Sequence, residues 1–115
     1  TMAFVVAGHA GLVGIAGDGK VDNPRFKAAF HTKAAMVRPD QLVEQVGHPM
    51  GGVCPFAIRD DVPVYLDESL KRFDVVYPAA GTASSAVRLT VPELEHSVQN
   101  FAGWVDIAKG WRAEG

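Results

Sequence analysis

Residues 48–58 read His-Pro-Met-Gly-Gly-Val-Cys-Pro-Phe-Ala-Ile. The two adjacent glycines, Gly51 and Gly52, let the backbone bend sharply and approach another group closely. Pro49 and Pro55 stiffen the chain on both sides of them, so the segment loses little conformational entropy when it orders. Such a loop can offer bare main-chain N–H groups to a ligand, although a purely structural turn between a helix and a strand explains the same residues.

The composition around this segment indicates one globular domain. Of the 115 residues, 48% are hydrophobic and 21% are charged, and the formal net charge is −2. A chain of this length buries about two-thirds of its unfolded surface, which is enough to form a core. The slight negative charge argues against a protein that coats long nucleic acids, but not against one that contacts the end of a nucleic acid.

No apolar run in the sequence approaches the roughly 20 residues that span a bilayer, and no signal peptide with a basic leader is visible. The single cysteine, Cys54, rules out an internal disulfide and suits a reducing compartment. We therefore expect a cytoplasmic protein with no membrane partner. Because the chain opens at Thr1 directly inside a predicted strand, we also expect a segment upstream of it.

The sequence before residue 48 predicts a hairpin, two helices and a short strand. Apolar runs over 2–7 and 11–16 are typical of two paired strands. An Asp-Asn-Pro start predicts a helix from residue 22 or 23 to about residue 31, with two phenylalanines four positions apart on one face. A short strand is predicted over 34–37, and Pro-Asp opens a second helix over 39–46 that a glycine ends.

The sequence after residue 58 predicts three further strands, over 62–66, 75–77 and 86–89. Pro63 indicates that the first of these strands lies at an edge of the sheet or that the proline marks its end. Asp67-Glu-Ser caps a single helical turn directly after this strand. A turn is predicted at 80–82.

Thr90-Val-Pro-Glu matches a capping box with proline in the first turn and predicts a helix that ends near Asn100. The tail over 103–108 is compatible with a strand or a short helix. The sequence contains no internal repeat and no linker. These elements predict a single α+β domain over 1–115, with about six short strands and helices on the outside.

Candidate reactive side chains lie near the glycine segment, and each has a plain structural alternative. His48 could bind a substrate or cap the preceding helix. Cys54 could be a nucleophile activated by His48, or a small buried side chain. Asp67 could be a general base or the N-cap of the helical turn. The four histidines are scattered without a pair at metal-ligand spacing, so no metal site is predicted.

Residues 14–21 read G-x-x-x-x-G-K-V, one residue short of a phosphate-binding P-loop. Val21 replaces the Ser or Thr whose hydroxyl would hold magnesium, so a turn at 17–19 is predicted and no cofactor is expected. Between positions 20 and 38, five basic residues stand against one acid. Such a stripe could contact a few phosphates or form a solvated helix face, and its members are Lys20, Arg25, Lys27, Lys33 and Arg38.

Three segments stand out together: Gly-Gly-Val-Cys-Pro-Phe at 51–56, Val-Tyr-Leu-Asp-Glu-Ser-Leu at 64–70 and Val-Tyr-Pro-Ala-Ala-Gly at 76–81. In order and spacing they resemble the YbaK/ProX family. This is the prolyl-tRNA-editing domain that also occurs as an insertion in bacterial prolyl-tRNA synthetases. The resemblance covers about residues 2–98.

The resemblance implies a mixed, barrel-like sheet around an aminoacyl pocket. The implied activity is hydrolysis of the ester that joins a wrong amino acid to tRNA, of the tRNA(Pro) type or a related one. Main-chain N–H groups of a carbonyl-binding loop would stabilise the oxyanion, and this loop comprises Gly51, Gly52, Val53, Cys54 and Pro55. The residues that would bind substrate or shape its pocket are His48, Asp67 and Gly81.

The partners implied by the resemblance are the acceptor end of a mischarged tRNA and an aminoacyl-tRNA synthetase. The family's functional lysine lies just before the strand that aligns with residues 1–6, so we expect the chain to lack its N-terminal segment. The alternative is a non-catalytic tRNA-binding or aminoacyl-binding module of the same fold. A third possibility is an interaction domain whose glycine loop is only structural.

Overall fold

Short strands dominate the part of the chain that the structure describes. The computed structural model describes residues 1–6, 8–15, 20–47, 58, 61–78, 86–98 and 100–109. In chain order the elements are β1 (Met2–Val6), β2 (His9–Gly14), β3 (Lys20–Val21), α1 (Asn23–Phe30), a 3-10 helix (Pro39–Gln41), α2 (Leu42–Gln45), β4 (Val64–Asp67), a second 3-10 helix (Glu68–Arg72), β5 (Val75–Val76), β6 (Leu89–Thr90), α3 (Val91–Ser97), β7 (Phe101–Val105) and β8 (Ala108–Lys109).

Four strands form the main sheet, in the order β1-β2-β4-β7. β1 and β2 form the predicted antiparallel hairpin, whereas β4 runs parallel to both β2 and β7. This mixed sheet with helices around it confirms the predicted α+β fold class. The barrel-like sheet that the resemblance implied needs correction: within the described residues the sheet is open, because β1 and β7 stand at its opposite edges.

Both faces of the main sheet are covered, which explains why its central strands are apolar almost throughout. Alternate residues of each strand point to opposite faces, so Leu12 and Val13 enter different apolar clusters. The first cluster packs α2 and α3 against one face and includes Leu12, Leu42, Val64, Leu66 and Leu94. The second packs α1 against the other face and includes Phe4, Val13, Phe26 and Ile107.

Helix α1 begins and ends as the sequence predicts. The Asp22 side chain accepts a hydrogen bond from the Arg25 N–H (3.2 Å), and His31 ends the helix in the left-handed conformation (φ 59°). Phe26 is fully buried, and its ring centroid lies 4.7 Å from that of Phe30 and 4.9 Å from that of Phe4. This aromatic stack holds the helix on the sheet.

Two strand predictions need correction. Residues 34–37 form no strand of their own, because only Met36 makes a bridge to Phe4 of β1. The strand predicted over 62–66 is β4, which starts two residues later and lies in the middle of the sheet. Pro63 therefore marks an end and not an edge, since a central strand needs its main-chain donors.

The second half of the chain confirms the predicted helix start at Thr90. The Thr90 N–H donates to Glu93 Oε1 (2.9 Å) and the Glu93 N–H donates to Thr90 Oγ1 (3.2 Å), which completes a capping box. The Thr90 N–H, and after it the Thr90 hydroxyl, favour the ionised carboxyl and lower the pKa of Glu93. The tail forms strands β7 and β8, and of the strand predicted over 86–89 only Leu89 belongs to a named strand, Leu89–Thr90. The turns predicted at 17–19 and 80–82 lie outside the described residues.

Candidate functional site

The register of the main sheet defines two ends. At the first, β1 begins and β2 and β4 finish, because Met2 pairs with Val13 and Gly14 pairs with Leu66. We call it the aspartate end, since Asp67 is the last residue of β4. At the opposite end β1 turns into β2 and the chain enters β4, and we call it the hairpin end.

Asp67 is the one predicted site residue that lies within the described ranges. Its side chain is fully buried (0% exposed). Oδ2 accepts a hydrogen bond from the Ser69 N–H (2.8 Å), and Oδ1 accepts one from the Ile107 N–H (2.8 Å). Asp67 is therefore the N-cap of the 3-10 helix Glu68–Arg72, as one of the two sequence interpretations had it.

The second hydrogen bond of Asp67 joins two residues that are far apart in the sequence. Ile107 lies 40 residues further along the chain and is fully buried in the second apolar cluster. One carboxylate thus joins the end of β4, the 3-10 helix and the C-terminal tail. Both hydrogen bonds are buried, and breaking either would leave a main-chain N–H without a partner, so Asp67 stabilises this junction at the aspartate end.

The two-stranded ribbon formed by β3 and β8 is attached to the same junction. β8 starts directly after Ile107, and the Ile107 carbonyl accepts a hydrogen bond from the Asp22 N–H (2.7 Å). Arg25 Nη1 lies 3.1 Å from Asp106 Oδ2, which ties α1 to the same tail. The ribbon therefore projects from the aspartate end of the sheet.

The hairpin end has a different character. It contains an open cavity of about 390 Å³ lined by Gly8, His9, Ala10, Glu44, Gln45, Asp61 and Val62. The described lining includes two carboxylates and no lysine or arginine. Both acids are exposed, and they disfavour the approach of a phosphate backbone.

The other predicted site residues are His48, the loop 51–55 and Gly81, which lie outside the described residues. The structure does show what flanks the loop in sequence. Gln45 before it and Val62 after it both line the hairpin-end cavity. Ile58 is buried in the first apolar cluster, next to the end of the segment.

Sequence reasoning placed Ser69 in the predicted cap but missed Ile107, and the main-chain N–H groups of both donate to Asp67. The position of Ser69 two residues after a capping aspartate was a usable signal, whereas nothing in the sequence pointed to Ile107. The described residues contain no group of three His, Cys, Asp or Glu side chains placed to hold a metal. Among them there is also no helix with the length and apolar character needed to cross a membrane.

Comparison with known sequences gives one family and one close relative. The sequence model of the aminoacyl-tRNA editing domain matches residues 1–96. The uncharacterized protein YwhH of Bacillus subtilis (strain 168) is 48% identical over 101 residues. These residues are 87% of this chain and 63% of YwhH, so the chain spans less than two-thirds of that relative.

Comparison with solved structures gives the same fold. A candidate trans-editing enzyme for prolyl-tRNA synthetase superposes with a TM-score of 0.81 at 27% identity, over 95% of this chain and 68% of that one. A computationally designed scaffold for presenting linear epitopes has a TM-score of 0.81 at 24% identity, over 95% and 71% of the two chains. The hypothetical protein APE2540 has a TM-score of 0.79 at 23% identity, over 95% and 72%. The last two likenesses show the fold alone.

Proposed function

The chain belongs to the aminoacyl-tRNA editing domain family, and on that premise we propose that it hydrolyses the ester bond of mischarged aminoacyl-tRNA. The observation that carries the proposal is the family match over residues 1–96 of the 115. Hydrolysis of this ester needs few catalytic groups. An aminoacyl ester is already activated, so an enzyme has mainly to position a water molecule and stabilise the oxyanion.

In this proposal the oxyanion is stabilised by main-chain N–H groups of residues 51–55. Gly51 and Gly52 would let the main chain approach the carbonyl closely, and Pro55 would hold the loop in shape. Preorganised donors of this kind need no reorganisation when charge develops on the oxygen. No side-chain nucleophile is required, so Cys54 is assigned a place in the loop rather than attack on the ester.

We place the ester at the aspartate end of the sheet, so residues 51–55 would have to reach that end from Gln45 and Val62, which flank the loop in sequence and line the hairpin-end cavity. The family resemblance puts a functional lysine just before the first strand, and β1 begins at this end. The charge distribution favours the same placement, because the cavity at the hairpin end is lined by Glu44 and Asp61. An RNA end carries a row of phosphates and is repelled by carboxylates at short range.

Asp67 then shapes the pocket as a positioning residue. Both of its carboxylate oxygens accept main-chain hydrogen bonds, so it fixes the backbone of Ser69 and Ile107 around the site. His48 and Gly81 are the other two residues that the proposal assigns to the substrate pocket. The first substrate to test is tRNA(Pro), since one structural neighbour is a candidate trans-editing enzyme for prolyl-tRNA synthetase.

The test is a deacylation assay on tRNA(Pro) and tRNA(Thr) charged with a panel of small amino acids. It is run with the 115-residue chain and with a version extended upstream of Thr1. Gly51→Ala keeps its main-chain N–H but adds a Cβ where the substrate carbonyl must approach, so it should lower the deacylation rate about 10²-fold if the loop supplies an oxyanion donor. Gly11→Ala in β2 is the matched control, because a Cβ there meets nothing closer than 3.8 Å.

Two outcomes would overturn the proposal. If tRNA binds but no ester is lost faster than without protein, the chain is a non-catalytic binding module. If Gly51→Ala turns over at the rate of the parent protein, the loop is not part of the mechanism. Cys54→Ser should keep full activity, and its inactivity would replace the proposed route by a thiol-dependent one.

A further inference from the structure

The β3–β8 ribbon brings two lysines together from near opposite ends of the sequence. Lys20 of β3 is the direct cross-strand partner of Lys109 of β8, and Val21 is the partner of Ala108. Ala108 is fully buried and Val21 packs on the second apolar cluster. Because side chains alternate along a strand, Lys20 and Lys109 share the opposite, exposed face of the ribbon.

Like charges directly opposite each other on paired strands are unfavourable. Neither lysine makes an ion pair within the described ranges, and the two described acids nearest to them in sequence are already engaged. Asp22 and Asp106 both lie against Arg25, at 3.9 Å and 3.1 Å. Among the described residues, the ribbon therefore presents two neighbouring lysine side chains to solvent without an ion-paired carboxylate.

The position of this pair matters more than its charge alone. Lys109 lies two residues beyond Ile107, whose N–H is bound by Asp67. An extended chain advances about 3.3 Å per residue, so the Lys109 backbone lies roughly 7 Å beyond that junction. The lysine pair stands beside the aspartate end, where the proposed function places the ester.

We propose that Lys20 and Lys109 together bind one backbone phosphate near the acceptor end of the tRNA. This inference rests on the proposed function and adds the contact that positions the RNA. A phosphate bound between the two ammonium groups attracts both of them, and these attractions offset the repulsion between the two lysines. Lysine suits this role because it is a flexible point charge, and the release of counterions from the RNA adds to the binding free energy.

The test measures binding of an uncharged acceptor-stem RNA minihelix as a function of salt. Lys20→Ala and Lys109→Ala should each weaken binding several-fold at low salt. The double variant should weaken it on the order of tenfold and reduce the slope of log K against log salt by about 1. Arg88→Ala is the matched control, since Arg88 is exposed and its neighbour Leu89 packs on the first apolar cluster, at the opposite face of the sheet.

The Arg88→Ala control distinguishes a specific phosphate-binding site from a general effect of net charge on RNA binding. Weakening at Arg88 equal to that at either lysine would overturn the inference, as would a double variant that binds like the parent or a parent that does not bind the minihelix. Inorganic phosphate at constant ionic strength distinguishes a free-anion site. Millimolar phosphate that displaces the RNA fully would replace the proposed RNA contact by a small-anion site.

Binding and hydrolysis are read out separately, so the two proposals can fail independently. Lysine-dependent RNA binding without ester loss supports the phosphate contact and rejects the hydrolase. Ester loss that is unchanged in the double variant, both in KM and in kcat, supports the hydrolase and rejects the contact. If both hold, the double variant should raise KM several-fold with kcat nearly unchanged, because the contact is made equally in the ground state and the transition state.

Discussion

The two ends of the main sheet are built on opposite principles. At the aspartate end a buried carboxylate binds two main-chain N–H groups, and an apolar cluster lies beneath the junction. At the hairpin end the lining of an open cavity includes the exposed side chains of His9, Glu44 and Asp61, two of which are acidic. A site that must hold an ester within a few tenths of an ångström needs the first kind of surroundings, and a polyanionic partner avoids the second.

The largest effect should come from Asp67→Ala at the aspartate end. The substitution leaves the Ser69 and Ile107 N–H groups buried without an acceptor, at about 1–3 kcal/mol each, so unfolding should become easier by about 2–6 kcal/mol. Urea unfolding measures this loss. Asp67→Asn keeps one acceptor oxygen and should lose about half as much. An unchanged midpoint for Asp67→Ala would show that these two hydrogen bonds do not stabilise the junction.

A smaller effect is expected from Gly14→Ala, at the point where β2 reaches the aspartate end. A Cβ on Gly14 would lie 2.9 Å from Leu66 Cδ2, and Leu66 is fully buried and cannot move aside freely. Overpacking of this kind costs about 1–3 kcal/mol. Gly11→Ala in the same strand meets only Pro63 at 3.8 Å and should be nearly neutral. Equal thermal stability of Gly14→Ala and Gly11→Ala would contradict tighter side-chain packing at the aspartate end.

The capping box of α3 gives a reference that belongs to neither end. The Thr90 N–H and hydroxyl lower the pKa of Glu93 below its ordinary value of 4.5, so the cap stabilises the fold above that pH. The stabilisation should be lost as the pH falls through the lowered value in the folded protein. Unfolding of the parent and of Glu93→Gln, measured from neutral to acidic pH, should differ only in this small step. A parent without such a step would show that the carboxyl does not cap the helix in solution.

The smallest effects should come from the hairpin end. Asp61→Ala and Glu44→Ala remove exposed side chains, so the free energy of unfolding should change by less than about 0.5 kcal/mol. Deacylation should stay within about twofold, and RNA binding should tighten slightly because negative charge is lost. Loss of deacylation in either variant, with the fold intact, would move the proposed site to the hairpin end.

Local signals in the sequence predicted the elements that local interactions decide. The hairpin, the start of α1 at Asp22 and the capping box at Thr90 all depend on residues within a few positions of one another. The parallel pairing of β4 with β2 and β7 depends on long-range contacts, and no turn residues in the sequence predict it. This is also why the strand near Pro63 could be taken for an edge.

The sequence likewise predicted the local features of the candidate site but not its long-range contacts. The capping role of Asp67 was one of two open interpretations because Ser69 follows it closely, but its bond to Ile107 needed the fold. The stripe between residues 20 and 38 pointed to phosphates, yet Arg25 and Arg38 are engaged with acids. Lys20 gains its partner from the tail, where no sequence pattern indicated a strand pairing.

The most direct test of the ester's placement is an NMR titration with a non-hydrolysable analogue in which an amide replaces the ester at the 3′ end of an aminoacylated adenosine. Backbone amide shifts report where it binds. We expect the amides of Ser69 and Ile107 to shift with a common affinity, while those of Gly8 and Gln45 stay in place. Shifts confined to Gly8 and Gln45 would put the aminoacyl group in the hairpin-end cavity and contradict the account.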